Sequence, residues 1–328
     1  MTVPRYRLLY EAGKFHQRVE AMKQLCDPCR LCPRACHAGR LHNEMGFCNI
    51  ANGSFLANAL LHFGEEPPIS GWRGSGTLFF YGCALGCSFC QNYQISHGIP
   101  PTRAWTNPEQ LADHMLRLQT AGAHNINWVT PTHVLPWALE ALEIAAHKGL
   151  HIPLVYNCSG FISAQAQELL DGVVDVALPD LKWLHTKNSQ VCRASELYAS
   201  VIQDVIARWF KMVGPLKTDE NGIAVSGLLV RHLVLPENLS DTDAVLAFLE
   251  PFMALGVGIS LMAQYHPPAG LRLPPPLDRT LQPDEYYGFA YELRLMEPET
   301  AFIQDLESHC IYNPDFDADD PFGPTPEN

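Results

Sequence analysis

Between residues 77 and 262 the chain repeats one pattern. A short apolar run is followed by a turn, then by a stretch in which apolar residues recur every three or four positions. The runs at 77–81, 125–130, 152–156, 173–178, 227–235 and 257–262 read as six strands. The intervening stretches read as helices. Asn107 stands as a cap with Pro108 at the first helical position, Leu111, Met115 and Leu118 share one face, and Gly122 ends the element. Further helices are expected over 136–148, 164–170 and 196–212, and one capped by Ser240 that carries Val245, Phe248 and Leu249. Strands alternating with helices imply a parallel sheet with helices outside it. Six such units fall short of the eight of a closed barrel, so the predicted fold class is α/β, a partial (β/α)6 barrel.

The flanks read differently. Residues 10–25 are expected as one helix, with Phe15, Val19, Met22 and Leu25 on a single side. Segment 62–71 is a turn-rich lead-in to the first strand, its Glu65 and Glu66 read as solvated loop charges. After Pro267 comes a proline-rich stretch, then a helix over 283–295, then an acidic tail from Asn313 that is expected to be disordered. Three regions result: an N-terminal cysteine-rich module (1–71), the barrel (72–267), and a C-terminal helix with its tail (268–328).

Composition narrows the function classes. The 328 residues carry a net charge of −13, which argues against a basic nucleic-acid-binding surface. No apolar run approaches the roughly 20 residues that span a bilayer, and no leader-like segment opens the chain, so a cytoplasmic, reduced protein is expected. Eleven cysteines in so long a chain, an odd number, then point to metal ligands rather than to a disulfide scaffold.

Three of them, Cys83, Cys87 and Cys90, follow the first strand at C-x3-C-x2-C spacing. Thiolates ligate iron–sulfur clusters, and three of them leave the fourth iron of a cubane open, the mark of a reactive site rather than a sealed one. A second group comprises Cys26, Cys29, Cys32, Cys36 and Cys48, where Pro28 and Pro33 keep the chain from being helical throughout and leave a loop able to wrap a metal. Cys29, Cys32, Cys36 and Cys48 form the expected ligand set, with Cys26 spare; an auxiliary iron–sulfur cluster and a structural zinc both fit four thiolates. His37 and His42 read as exposed loop histidines, and Cys158 and Cys192 as buried small apolar groups.

In parallel sheets the working residues gather at the carboxyl ends of the strands. Here those ends offer Thr130, Thr132 and His133, then Asn157 and Ser159, Asp180 and Lys182, Arg231 with Leu233, and finally Gln264 with His266. Polar, glycine or charged residues at every strand end describe a site.

The cysteine spacing, with Phe89 before the third cysteine, resembles the cluster motif of radical S-adenosylmethionine (SAM) enzymes. The phrases Leu31-Cys32-Pro33-Arg34-Ala35-Cys36, His62 to Gly71, Cys90-Gln91-Asn92, Val129-Thr130-Pro131-Thr132-His133, Val155-Tyr156-Asn157 and Arg231-His232-Leu233-Val234-Leu235-Pro236 are similar to pyruvate formate-lyase activating enzymes. They are more similar still to a poorly defined branch of homologues with an N-terminal cysteine module. The resemblance spans about residues 20–270. It implies an open six-unit barrel, a [4Fe-4S] cluster on Cys83, Cys87 and Cys90, and SAM bound at the open iron, which reduction cleaves to a 5′-deoxyadenosyl radical. It also implies SAM contacts from Asp180, Lys182 and Arg231, with Phe89 and His266 near the adenine, joined by Asn157, Ser159 and Leu233 from the same strand ends. A Gly-Gly-Glu-Pro-like turn of the family is absent after the second strand, and the hydroxyls or carbonyls of Thr130 and Thr132 stand in its place. A glycine backbone in a partner protein, with a flavodoxin- or ferredoxin-type electron donor, follows from the same resemblance. The alternatives are radical modification of another peptide or small molecule, and a non-catalytic iron–sulfur electron-transfer protein.

Overall fold

A computed structural model describes residues 3–185, 195–310, 313–318 and 320–323. Among the described residues ten strands form one sheet: β1 (Ser54–His62), β2 (Ser75–Phe80), β3 (Trp105–Thr106), β4 (Ile126–Val129), β5 (Leu154–Cys158), β6 (Val176–Pro179), β7 (Lys217–Thr218), β8 (Ala224–Leu233), β9 (Gly258–Met262) and β10 (Ala301–Ile303). Strands β2, β4, β5, β6, β8, β9 and β10 lie side by side in that order and run parallel. The short β7 and β3 pair antiparallel with β8 and β1, and β1 runs antiparallel to β2. The fold is thus mixed α/β around a mostly parallel sheet, as the alternation of elements predicts.

Strand side chains alternate between faces, and the core divides accordingly. Ile126, Trp128, Leu154, Tyr156, Leu228 and Val230 pack with the helices, while Val155, Val176, Leu178 and Leu229 meet Ile69 in a separate cluster on the other face. The six expected strands are all present, displaced by up to three residues at their ends. Asn107 caps Pro108–Thr120 through a reciprocal pair, its Oδ1 accepting from Gln110 N at 2.8 Å and Gln110 Oε1 accepting from Asn107 N at 3.1 Å.

Several expectations are corrected. The N-terminal helix is two, Arg5–Glu11 and Phe15–Cys26, separated at Gly13 in the left-handed region, although Phe15, Val19, Met22 and Leu25 do share the buried face. Ser240 does not cap a helix: its Oγ accepts from Leu235 N at 3.0 Å, while Asn238 Oδ1 accepts from Thr242 N at the start of Thr242–Met253. Segment 62–71 begins inside β1. The described part of the acidic tail lies against Phe79 and Gln94. Phe316 and Phe322 set their rings 5.2 and 5.4 Å from that of Phe79, and Gln94 binds Asp315, Asp317 and the amide of Phe316. Two phenylalanines anchor a stretch whose average composition hides them.

The chain after β8 depends on His232, which is fully buried. Its Nδ1–H donates to Leu181 O at 2.6 Å, so Nε2 accepts from the Thr242 hydroxyl at 2.9 Å. Burial pushes its pKa down to about 4. The unfolded chain takes up that proton near 6.5, so this contribution to stability is whole above pH 6.5 and is lost as pH falls toward 4. His232→Gln is therefore expected to flatten the slope of unfolding free energy between pH 6.5 and 4, measured by urea titration at a series of pH values. An unchanged slope would place the transition elsewhere.

Candidate functional site

Each parallel strand delivers its last residues to one end of the sheet, and a cavity of about 530 Å³ opens there. Gly82 and Gly86, both at positive φ, turn the chain after β2 so that Cys83, Cys87 and Cys90 all line this cavity. Ser96 Oγ donates to Cys90 Sγ at 3.2 Å. Burial, reinforced by Cys90, pushes the Cys83 thiol up to about 11, against the pull of the Gly86 amide. The Cys83 and Cys90 thiols hold their protons until a metal displaces them. Among the described residues, no three His, Cys, Asp or Glu side chains stand ready around a single metal ion; the cysteines line a space instead.

The opposite wall is charged. Lys182 Nζ donates to Asp180 Oδ2 at 2.7 Å. Burial opposes the lysine charge, but Asp180 and then Cys87 outweigh it and hold its pKa above the usual value. Arg231, near the end of β8, is gripped by two carboxylates: its Nε donates to Glu66 Oε1 at 2.8 Å, and its Nη2 donates to both Glu65 and Glu66. Asn127 Nδ2 adds a bond to Glu65 Oε1 at 2.8 Å. The Glu65 and Glu66 side chains are 5% and 6% exposed, so the reading of them as solvated charges is wrong. Burial would raise the Glu65 pKa, but Arg231 outweighs it and the carboxyl titrates below its ordinary range.

How these glutamates reach the site follows from topology. Because β1 is antiparallel to β2, His62 pairs opposite Ser75, and the following loop starts at the N-terminal edge of the sheet. Ile69 then fills the face lined by Val155, Val176 and Leu229, which carries Glu65 and Glu66 into the cavity wall.

Of the residues singled out in the sequence, Phe89, Thr130, Asn157, Ser159, Asp180, Lys182, Arg231 and Leu233 line the cavity with the three cysteines. Thr130 does so from the left-handed region (φ 52°), a strained conformation for a β-branched residue. Thr132 is off the wall, its hydroxyl 3.0 Å from that of Tyr156 in the core. His266 is also off it, held between Gln91 and Asn313 Oδ1. His133 is buried with Nε2 on Tyr81 O at 2.7 Å. Cys158 is buried and touches the cavity; Cys192 lies outside the described residues. Cys29, Cys32, Cys36 and Cys48 line a second, smaller space, which Cys26 does not. Sequence reasoning missed Glu65, Glu66 and Gln91; two carboxylates in a proline-bounded turn, in a chain whose described strands hold one arginine, were the available signal.

Residues 77–209 match the family model of the radical SAM superfamily. The uncharacterized protein MJ0674 of Methanocaldococcus jannaschii is 29% identical over 276 residues, covering 82% of this chain and 75% of that protein. Among solved structures, SuiB of Streptococcus suis is 12% identical with a TM-score of 0.44; the similarity covers 73% of this chain and 51%, about half, of SuiB.

Proposed function

We propose that this chain is a radical SAM enzyme, with Cys83, Cys87 and Cys90 holding a [4Fe-4S] cluster whose fourth iron receives SAM. The observation that carries this reading is that all three thiols of the C-x3-C-x2-C motif line one cavity at the carboxyl ends of parallel strands. Held by Cys83, Cys87 and Cys90, such a cluster would supply the one-electron reduction of SAM that makes hydrogen abstraction from a substrate possible.

The charges of the wall support the same ligand. Three carboxylates, Glu65, Glu66 and Asp180, face two cations, Lys182 and Arg231. This excess of one negative charge complements SAM, whose sulfonium and ammonium outnumber its one carboxylate. Since Arg231 is spent on Glu65 and Glu66, Lys182 is the cation placed to meet the cofactor's carboxylate, with Asp180 fixing its direction. Asn157 and Ser159 offer polar groups to the ribose, and Phe89, seated against Tyr265, offers a ring to the adenine. The hydrogen donor rests on the resemblance alone: a glycine backbone of a partner protein, or another peptide or small molecule.

Protein reconstituted anaerobically with iron and sulfide, then given dithionite and SAM, is expected to release 5′-deoxyadenosine and methionine. Cluster signals indifferent to SAM, with no nucleoside formed, would leave an electron-transfer protein in its place.

A further inference from the structure

The N-terminal cysteines converge as well. Between Cys29 and Cys48 the chain folds back on itself, with Cys29 N donating to Ala38 O and His37 N to Cys29 O, and with Ala35, His37 and Asn43 at positive φ. A Cβ placed on Gly46 would stand 3.4 Å from Cys48 Sγ and 3.6 Å from Cys36 Sγ, so both sulfurs flank the same glycine. Cys29, Cys32, Cys36 and Cys48 line one space, together with Arg40 and Ala84.

Arg40 is the second observation. Its side chain is fully buried, with Nε on Ala51 O at 3.1 Å, Nη1 on His133 O at 2.7 Å, and no partner for Nη2. No carboxylate among the described residues pairs with it. A buried guanidinium without a counter-charge is costly. A cubane core of charge +2 on four thiolates is a dianion, which supplies what Arg40 lacks. The ligand pattern, three cysteines close together and one remote, is that of a cluster rather than the two separated pairs of a zinc site.

The third observation is position. Ala84 lines this space while its neighbours Cys83 and Leu85 line the larger cavity. Arg34 Nε donates to Ala84 O at 2.6 Å, and a Cβ on Gly82 would meet Cys48 O at 2.5 Å. The loop that carries Cys83, Ala84 and Leu85 thus borders both spaces.

We propose that Cys29, Cys32, Cys36 and Cys48 hold a second iron–sulfur cluster, adjacent to the first across Ala84, with Arg40 as its buried counter-charge. The test uses the full chain with Cys83, Cys87 and Cys90 replaced by alanine, reconstituted anaerobically. Iron and acid-labile sulfide are expected to remain in near-equal amounts and to be lost on adding Cys32→Ala with Cys36→Ala, the two least buried of the four ligands. Absence of metal, or zinc bound in place of iron, overturns the proposal. Arg40→Gln in the otherwise unaltered chain tests the counter-charge: the cluster loads, and its reduction potential becomes more negative than in the parent. An unchanged potential refutes that role. None of these readouts involves SAM, so their failure leaves the proposed activity standing, and the reverse also holds.

Discussion

Cys87→Ala is expected to reduce 5′-deoxyadenosine formation to background while the chain stays folded. Cys87 is largely buried in the cavity wall between Cys83 and Cys90. Alanine removes one sulfur and leaves two thiolates where a cubane with one open iron needs three. Packing loss from so small a truncation costs on the order of 1 kcal/mol, within what a domain of this size tolerates. Chemistry and stability therefore separate: melting moves little, product disappears, and iron falls by the share of one cluster. Product formation at the parent rate would remove this thiol from the ligand set.

Arg231→Leu is expected to destabilise the fold by roughly 3–5 kcal/mol, the cost of leaving buried carboxylates without their cation. The guanidinium is the shared partner of Glu65 and Glu66, and only Asn127 and Asn157 among the described residues also reach Glu65. Anaerobic denaturant unfolding measures the loss. Adding Glu65→Gln and Glu66→Gln to the variant is expected to recover most of it, because groups in one network are strongly non-additive. A loss below about 1 kcal/mol would mean that water reaches these carboxylates after all.

The parts of the molecule that could be read in one dimension are those set by local spacing. Parallel strands buried on both faces appear as short apolar runs, and Asn107-Pro108 marks a helix start by its own hydrogen-bond chemistry. The site was legible where residues of known chemistry follow such runs, as with Cys83, Asp180, Lys182 and Asn157. What stayed hidden needs two distant segments at once. Glu65 and Glu66 look like surface charges until β1 is seen to bring its loop onto the inner face of the sheet. Thr132 follows the same strand end two residues after Thr130, but a one-turn helix after Thr130 points it at Tyr156. Ser240 has the right identity for a cap and is spent on Leu235 N. β10, only three residues long, exists because β9 offers it an edge.

The wall of the large cavity is finished in part by Pro314 and Phe322, from the last described stretch of the chain. That stretch is fastened by ring contacts, by Gln94 and by His266 on Asn313 Oδ1, rather than by a sheet. If the hydrogen donor is a folded protein, this strip is part of the wall it would have to displace, whereas a small solute would meet it only as lining. With a macromolecular hydrogen donor, turnover would then be paced by solvent viscosity and by the stickiness of two phenyl rings, and deuterium at the donor carbon would barely slow it.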